Sequence, residues 1–382
     1  MRKSKSALLL CFTHLNKDPR VLRQISWLKD DFEITTLGRA PSGVEGVHHI
    51  QYDDGPSSSL ARKLRRVTMF FGGDYESFYW NTNRQKYLAM LNEQRFDLMI
   101  ANDYDTLPLG IRAGEEQGST VVFDAHEYSP LEFTESLRWR TLQQPLIEHV
   151  CREYIPRATL ATTVCQGIAD VYEREYGKRF EVITNATEYV DLRPSATDPT
   201  KIRLIYHGGA SVSRQTHRQI EMMKFLDDRF ELSLMVLGAP KYIESLKRMA
   251  EPFRNVKFLP PVPTSEIARF TNGFDIGVYS LPPTNFNNEF ALPNKFFEFI
   301  QARLAVVVAP SPEMARVVRE YDLGAVAEDF SPERMAEAIK SLSAERIDHF
   351  KSQAHKHAYE LSADKNRELF LNIISSQTSP GV

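Results

Sequence analysis

Short apolar segments alternate with helical patterns along most of this 382-residue sequence, and this alternation restricts the fold more than any other feature. In the first half, the predicted strands are 6–12, 33–37, 47–52, 97–101, 120–124, 159–164 and 181–184. The predicted helices between them include 20–30, 107–117, 142–154 and 166–176. Apolar strands that alternate with helices indicate a parallel sheet with helices on both faces.

The alternation stops at residues 189–201 and then resumes. This segment contains Pro194 and Pro199 and has no hydrophobic periodicity, which predicts a linker. Beyond it, the predicted strands are 202–207, 231–237, 256–259, 276–279, 305–309 and 325–327. The predicted helices are 218–226, 241–250, 264–271, 294–303, 312–321 and 332–342.

The sequence therefore predicts two doubly wound α/β domains, at 1–188 and 202–345, that face each other across a cleft. Residues 346–382 are expected to form terminal helices that cross back to the N-terminal domain. In open parallel sheets, ligands bind beyond the carboxyl ends of the strands. We therefore look for functional residues directly after each strand.

Composition excludes several classes of protein. The 47 basic and 50 acidic residues give a net charge of −3, which provides no argument for a nucleic-acid partner. Cys11, Cys151 and Cys165 are few and far apart, so we expect a reducing compartment, no disulfide framework and no zinc site. Neither a secretory signal nor an apolar run of about 18 residues is found, so we predict a cytoplasmic protein.

The most informative motif is Phe290-Ala-Leu-Pro-Asn-Lys-Phe-Phe-Glu-Phe-Ile300. Pro293 suits the first helical position, which would place Lys295 in a first turn whose free N–H groups attract anions. Glu298 follows on the same face of the predicted helix. A cation above an acid at this helix end is expected in a nucleoside diphosphate site, where the acid accepts the ribose hydroxyls. A surface Lys–Glu pair on an amphipathic helix explains the spacing equally well.

A second motif, Ile202-Arg-Leu-Ile-Tyr-His-Gly-Gly209, predicts a strand that ends in two glycines. Glycine lets the backbone approach a ligand closely, and Arg214, after the loop 210–213, is suited to bind a pyrophosphate. An ordinary turn would show the same pattern. His207, just before the glycines, is either a site residue or a buried structural one.

These motifs, in this order and with Asn255-Val-Lys-Phe-Leu259, resemble the donor half of glycosyltransferase family 4. Residues 18–23 resemble the opening loop and helix of that family. Residues 102–108 and 123–128 resemble acceptor-side loops of its bacterial surface-polysaccharide enzymes. The resemblance covers about residues 8 to 340 and implies the GT-B fold, with two Rossmann-like domains.

The resemblance implies that the chain transfers a sugar from a nucleoside diphosphate sugar to a hydroxyl of a glycan or lipid-linked acceptor, with retention of configuration. Glu298 would hold the donor ribose, while Arg214 and Lys295 would act as catalytic residues that hold the diphosphate and stabilise the leaving group. Other expected donor-binding residues are Gly208, Gly209, Glu289, Phe290, Ala291, Leu292 and Asn294. No cofactor and no metal are expected.

The resemblance also places His126 near the transferred sugar as a further catalytic residue, although a hydrogen-bonded structural histidine is the alternative. The expected acceptor-binding residues are Asp18, Arg20, Asp103, Asp105 and Glu127. Carboxylates that cap loops would occupy the same positions. In an inverting enzyme, one of these acids would be the general base.

The sequence departs from the family in one pair of glutamates, which the family separates by seven residues. Glu298 matches the second, but Phe290 occupies the first position and Glu289 lies one residue upstream. Either Glu289 substitutes through a loop shift, or the role of the first carboxylate is lost. A GT-B epimerase of nucleotide sugars and a non-catalytic nucleotide-sugar-binding protein are therefore alternative functions.

A segment of the first half is locally basic and aromatic. Its members include Arg62, Lys63, Arg65, Arg66, Phe70 and Phe71. Such a cluster suits an anionic membrane surface, so a peripheral position on the inner face of the plasma membrane is predicted. A core helix with a solvated basic face is the alternative, and no nucleic-acid-binding module surrounds the segment.

Overall fold

The computed structural model describes residues 5–53 and 73–378, and the chain divides into two compact units. The first unit contains the residues up to Ile183 and those from Arg367 onward, and the second is Thr184–Asn366. The division after Ile183 precedes the predicted boundary at residue 188. Residues 189–201 are part of the second unit, where the Val190 amide donates to Gln301 Oε1 at 3.2 Å.

A parallel sheet forms the centre of the first unit. Its strands are β1 (Lys5–Leu10), β2 (Phe32–Gly38), β3 (His48–Gln51), β4 (Leu98–Asn102), β5 (Thr120–Ala125), β6 (Leu160–Thr163) and β7 (Glu181–Val182). They pair in the order β3-β2-β1-β4-β5-β6-β7. The order reverses between β1 and β4, so the loops after these strands border the crevice in which open sheets bind ligands.

Helices follow the strands of the first unit. They are α1 (Pro19–Leu28), α2 (Tyr75–Tyr79), α3 (Thr82–Asn92), α4 (Leu107–Gln117), α5 (Leu137–Leu142), α6 (Gln144–Tyr154) and α7 (Gln166–Tyr176). The sequence pattern does not predict α2, α3 or α5. Helix α3 buries Tyr87 and Leu91 but has no apolar stripe, and α2 and α5 span fewer than two turns.

A second parallel sheet forms the centre of the other unit. Its strands are β8 (Ile202–Ala210), β9 (Phe230–Gly238), β10 (Val256–Phe258), β11 (Ile276–Tyr279), β12 (Ala305–Val308) and β13 (Gly324–Val326). They pair in the order β10-β9-β8-β11-β12-β13. Here the order reverses between β8 and β11, which makes the carboxyl end of β8 a ligand-binding position.

The helices of the second unit cover both faces of its sheet. They are α8 (Arg218–Glu221), α9 (Pro240–Ala250), α10 (Ile267–Thr271), α11 (Phe286–Glu289), α12 (Asn294–Gln301), α13 (Pro312–Glu320), α14 (Pro332–Lys340) and α15 (Ala344–His357). The last helix, α16 (Ala363–Thr378), begins in this unit and ends in the first. All predicted strands are observed within a few residues, and the predicted fold class of two doubly wound α/β domains is confirmed.

Candidate functional site

A cavity of about 550 Å³ opens at the carboxyl end of β8 in the second unit. Its polar lining residues are Asn185, His207, Arg214, Thr264, Asn294, Lys295 and Glu298, together with the backbone of Gly208 and Gly209. Its apolar lining residues are Met235, Leu237, Pro261, Val262, Ile267 and Pro293. A cavity of this size and mixed lining is typical of a site for an organic ligand with a few charged groups.

Two cations flank Gly208 and Gly209, which lie within the last part of β8 and remain paired with β9. Gly208 has a φ of +105°, a conformation that favours glycine. A Cβ on Gly208 would lie 3.1 Å from Lys295 Nζ, and one on Gly209 would lie 3.0 Å from Arg214 Nη1. Because glycine has no side chain, Lys295 and Arg214 lie directly against the backbone of these two residues. This is the arrangement expected where a backbone approaches an anionic ligand.

Lys295 is a buried cation rather than a surface group. Its Nζ lies over two tyrosine rings, 4.4 Å from the ring centre of Tyr206 and 4.6 Å from that of Tyr279. Nζ also donates to the Tyr206 hydroxyl at 3.3 Å. Burial, reinforced by the positive charge of Arg214, lowers the pKa of Lys295 to about 7. The tyrosine rings hold Nζ in place while its charge remains available to an anion.

Glu298 lies one turn further along α12 and is also buried. It and Lys295 are each 7% exposed, which excludes the surface Lys–Glu pair considered from the sequence. Burial raises the pKa of Glu298 to about 7, and the charge of Lys295 opposes that rise. His207 Nδ1 lies 3.5 Å from Glu298 Oε2. The acid is therefore poised between its two protonation states at neutral pH.

The local structure of α12 differs from the sequence prediction in two respects. Pro293 is the extended N-cap residue, with φ −81° and ψ 158°, so the helix begins at Asn294 and not at the proline. The helix is also buried on nearly every side, because Lys295 and Glu298 are covered as well as the apolar positions such as Phe296. The sequence alone left open whether Lys295 and Glu298 form a ligand site or a surface pair.

The segment 289–292, which precedes α12, lies outside the lining of this cavity. Glu289 is exposed, and its carbonyl oxygen accepts a hydrogen bond from Ser311 Oγ at 2.8 Å. Phe290 packs against Phe286 with ring centres 4.7 Å apart. Among the predicted donor-binding residues, Glu289, Phe290, Ala291 and Leu292 do not line the cavity.

Several lining residues were missed by the sequence argument. Met235 and Leu237 lie near the end of β9, while Pro261 and Val262 follow β10. Asn185 follows β7 in the chain but belongs to the second unit. The carboxyl-end rule for parallel sheets was the signal that could have identified the residues after β9 and β10.

In the first unit, Asp124 is the centre of a buried polar network at the end of β5. Arg20 forms an ion pair with it through Nε and Nη2, and Gln24 Nε2 and Thr162 Oγ1 each donate to it at 2.6 Å. Burial alone would raise the pKa of Asp124, but Arg20 and the donated hydrogen bonds hold it well below its usual range. The guanidinium of Arg20 is therefore paired with the Asp124 carboxylate in the interior of the protein.

Asp18 and Asp103 both accept hydrogen bonds from backbone amides around this network. Asp18 is the N-cap of α1, where its carboxylate accepts from the amides of Arg20 and Val21. Asp103 has a φ of +64°, a conformation that aspartate tolerates better than most residues. Its Oδ1 accepts from the His126 amide at 3.1 Å, and its Oδ2 lies 3.2 Å from His126 Nδ1.

His126 is oriented by carboxylates on two sides. Its Nε2 lies 3.7 Å from Asp124 Oδ2, opposite the contact between Nδ1 and Asp103. Burial disfavours the charged imidazole, but Asp103 and Asp124 outweigh this effect and the pKa of His126 is raised. The side chain remains 22% exposed, so a structurally fixed His126 still presents part of its ring to solvent.

A smaller cavity of about 150 Å³ lies beside this network and carries several acids. Its acidic lining residues are Asp103, Asp105, Glu127 and Glu132, and its other polar residues include Cys11, Thr13, Asn102, Tyr104 and Ser129. Burial and the neighbouring Asp103 raise the pKa of Asp105 to about 7, and burial with Glu127 raises that of Glu132 to about 8. Glu132 was not predicted, since it follows a short helical turn and not a strand.

The predicted membrane residues cannot be placed on this framework. Arg62, Lys63, Arg65, Arg66, Phe70 and Phe71 lie outside the described residues. Within residues 5–53 and 73–378, no helix is long and apolar enough to cross a membrane. In the same ranges, no group of three or more His, Cys, Asp or Glu side chains is arranged to hold a metal ion.

Residues 202–345 match the family model described as Glycosyl transferases group 1. Among solved structures, HepE from Anabaena in complex with UDP has a TM-score of 0.69 at 15% identity, covering 97% of this chain and 100% of that one. The chain has the GT-B fold. Sucrose-phosphate synthase from Thermosynechococcus elongatus has a TM-score of 0.68 at 12% identity, covering 98% of this chain and 99% of that one.

A third GT-B structure, WaaG, is a glycosyltransferase involved in lipopolysaccharide biosynthesis. It has a TM-score of 0.63 at 14% identity, covering 95% of this chain and 99% of that one. No curated protein sequence matches the chain significantly. The family match covers most of the second unit, and the structural likeness confirms the fold that the sequence motifs implied.

Proposed function

We propose that this GT-B protein transfers a sugar from a nucleoside diphosphate sugar to an acceptor hydroxyl. One observation carries the proposal: Arg214 and Lys295 flank the bare backbone of Gly208 and Gly209, with Glu298 one helical turn away. The two cations and the N-terminus of α12 are suited to hold a diphosphate, and Glu298 to accept the ribose hydroxyls. The family match of residues 202–345 supports the same assignment.

The proposed chemistry needs a stabilised leaving group above all. When the bond between sugar and diphosphate breaks, negative charge develops on the diphosphate, where Arg214 and Lys295 would stabilise it. Because both groups are already positioned, no reorganisation is required as the charge forms. We further propose retention of configuration, with the departing phosphate taking the proton of the acceptor, so that no protein side chain serves as the base.

The acidic cavity of the first unit is the proposed acceptor site. Asp103, Asp105 and Glu127 line it, and His126 is held beside it by Asp103. Carboxylate oxygens accept hydrogen bonds from sugar hydroxyls, and Asp105, with its pKa raised to about 7, also carries a proton part of the time and can donate one. We therefore expect Glu127→Gln to raise the acceptor KM while leaving the Kd for the donor nucleotide unchanged.

For the donor and the acceptor we propose chemical classes and not single compounds. HepE was solved with UDP and with UDP-glucose, so UDP-hexoses are the first donors to test on this chain. We propose a glycan or lipid-linked acceptor in surface-polysaccharide synthesis. We also propose a cytoplasmic protein that binds the inner face of the plasma membrane peripherally through the basic segment 62–71.

A panel of nucleotide sugars tests the proposal. Thermal stability is measured with each nucleoside diphosphate and each nucleotide sugar, and nucleotide release is measured with and without candidate glycan acceptors. We expect at least one nucleoside diphosphate to stabilise the protein and its sugar conjugate to release nucleotide when acceptor is present. Stabilisation without acceptor-dependent release would favour a binding protein, and conversion of the sugar itself would favour an epimerase.

A further inference from the structure

His207 is a buried histidine that the proposed chemistry leaves without a role. It directly precedes Gly208 and Gly209 in β8, it lines the 550 Å³ cavity and it is 1% exposed. The edge of its ring contacts Phe299, with ring centres 5.0 Å apart at an interplanar angle of 79°. Its orientation is therefore fixed by packing against α12, the helix that also carries Glu298.

The two ring nitrogens of His207 have different surroundings. Nδ1 faces Glu298 Oε2 at 3.5 Å, whereas Nε2 is buried and has no hydrogen-bond partner among the described residues. Burial and the nearby charge of Lys295 lower the pKa of His207 to about 3, so the ring is neutral at ordinary pH. A neutral ring has one N–H, and a carboxylate facing Nδ1 favours the tautomer that carries the proton there.

A buried polar atom without a partner costs free energy, so the placement of His207 calls for an explanation. A purely apolar side chain would fill the space against Phe299 without leaving Nε2 unpaired. The contact that an apolar residue could not supply is the one from Nδ1 to Glu298. In the described part of the protein, the Glu298 carboxyl forms no side-chain hydrogen bond closer than this 3.5 Å approach of His207 Nδ1, and Lys295 acts on it only through charge.

We propose that His207 is a positioning residue that holds Glu298, through its Nδ1–H, in the orientation that accepts the ribose hydroxyls of the nucleotide. When a ribose is bound, one carboxylate oxygen takes the hydrogen bond from Nδ1 and the other is left free for the sugar. This inference rests on the proposed donor site and adds to it a residue that determines selectivity for ribose over deoxyribose.

The test compares UDP with 2′,3′-dideoxy-UDP in calorimetric titrations of the wild-type protein and three variants. His207→Asn keeps a donor near the position of Nδ1, His207→Gln places its amide further out near Nε2, and His207→Leu removes both. We expect the wild type to prefer UDP by about tenfold or more, as for loss of hydrogen bonds to a charged group. His207→Leu and His207→Gln should lose that preference, and His207→Asn should keep most of it.

The design separates this inference from the proposed function. If the wild type binds neither of these nucleotides nor any nucleoside diphosphate of the panel, the donor site itself is wrong. If it binds UDP but His207→Leu weakens both nucleotides equally, His207 only supports the fold and the inference fails. Glu298→Gln provides the reference, since its ribose preference should fall to the level of His207→Leu. Thermal melting of each variant shows whether the fold is kept, and His207→Asn serves as the rescue if His207→Leu is unstable.

Discussion

Lys295 illustrates how a single residue prepares the proposed donor site. Its ammonium is removed from water and held by Tyr206 and Tyr279, so its charge acts in surroundings of low dielectric constant. Attraction to an anion is several times stronger there than in bulk water. The same burial lowers the pKa of Lys295 to about 7, so the charge depends on pH in the physiological range.

We expect the affinity for UDP-glucose to be highest near pH 7. A bound diphosphate raises the pKa of Lys295 above its free value of about 7. Affinity from this group is therefore fully present below pH 7 and falls at higher pH, by up to about tenfold per unit. Glu298 acts in the opposite direction. Because its pKa is about 7, it loses its carboxylate charge at lower pH, and its contribution to the affinity is lost there. Calorimetric titrations from about pH 5.5 to 8.5 measure both the acidic and the alkaline decline of the affinity.

The matched variant for the pH profile is Lys295→Arg. Arginine stays charged at every accessible pH, so the alkaline decline should disappear while the acidic one remains. An alkaline decline that is the same in the variant as in the wild type would assign it to another group.

Asp124 shows a different use of charge, in which two buried groups satisfy each other. We expect Asp124→Asn to lower the free energy of unfolding by about 3–5 kcal/mol, because Arg20 would remain buried without a countercharge. The control is Glu115→Gln, whose pair with Arg157 is largely exposed, and this change should cost less than about 1 kcal/mol. Urea unfolding measures both, and equal costs would refute the structural role given to Arg20.

At the scale of the element, the glycine pair within the last part of β8 depends on backbone conformation and on space. Gly208 combines a φ of +105° with Lys295 Nζ 3.1 Å from where a Cβ would lie. An alanine there would strain the backbone and displace the lysine. We expect Gly208→Ala to weaken UDP binding by about tenfold or more, since it would disturb a charge-assisted contact.

A second glycine provides the control for strain alone. Gly118 has a φ of +68°, but no atom lies within 4 Å of the position of its Cβ. Gly118→Ala should cost about 1 kcal/mol of stability and leave UDP affinity unchanged. Calorimetry on both variants separates the two effects, and equal losses of affinity would show that the backbone at Gly208 is not a ligand contact.

The strands were predictable from sequence because they are continuous apolar runs, as in Ala305–Val308, and their carboxyl ends pointed to Gly208 and Asp103. Three helices of the first unit were not predictable, because Thr82–Asn92 has no apolar stripe and Tyr75–Tyr79 and Leu137–Leu142 are too short to show one. The burial of the two charged residues of α12 was also not predictable from the sequence. Sequence spacing placed Lys295 and Glu298 on one helix face but gave no sign that other elements cover that face.

At the scale of the whole molecule, the two units share one architecture but carry opposite charges at their cavities. The second unit presents Arg214 and Lys295 to its cavity, and the first presents carboxyl groups such as Asp105 and Glu127 to its own. The net charge of −3 averages over these regions and describes neither. We interpret the difference as a division of labour, with the anionic donor bound by one unit and a hydroxyl-bearing acceptor by the other.

The central claim is that Arg214 and Lys295 form a diphosphate site, and calorimetric titration of UDP against UMP tests it most directly. Wild-type protein should bind UDP about tenfold or more tightly than UMP, because the second phosphate would engage both cations. The double variant Arg214→Gln/Lys295→Met should bind both nucleotides with similar, weak affinity, and Lys257→Gln, an exposed lysine outside the cavity, should behave like the wild type. An undiminished preference for UDP in the double variant would contradict the claim.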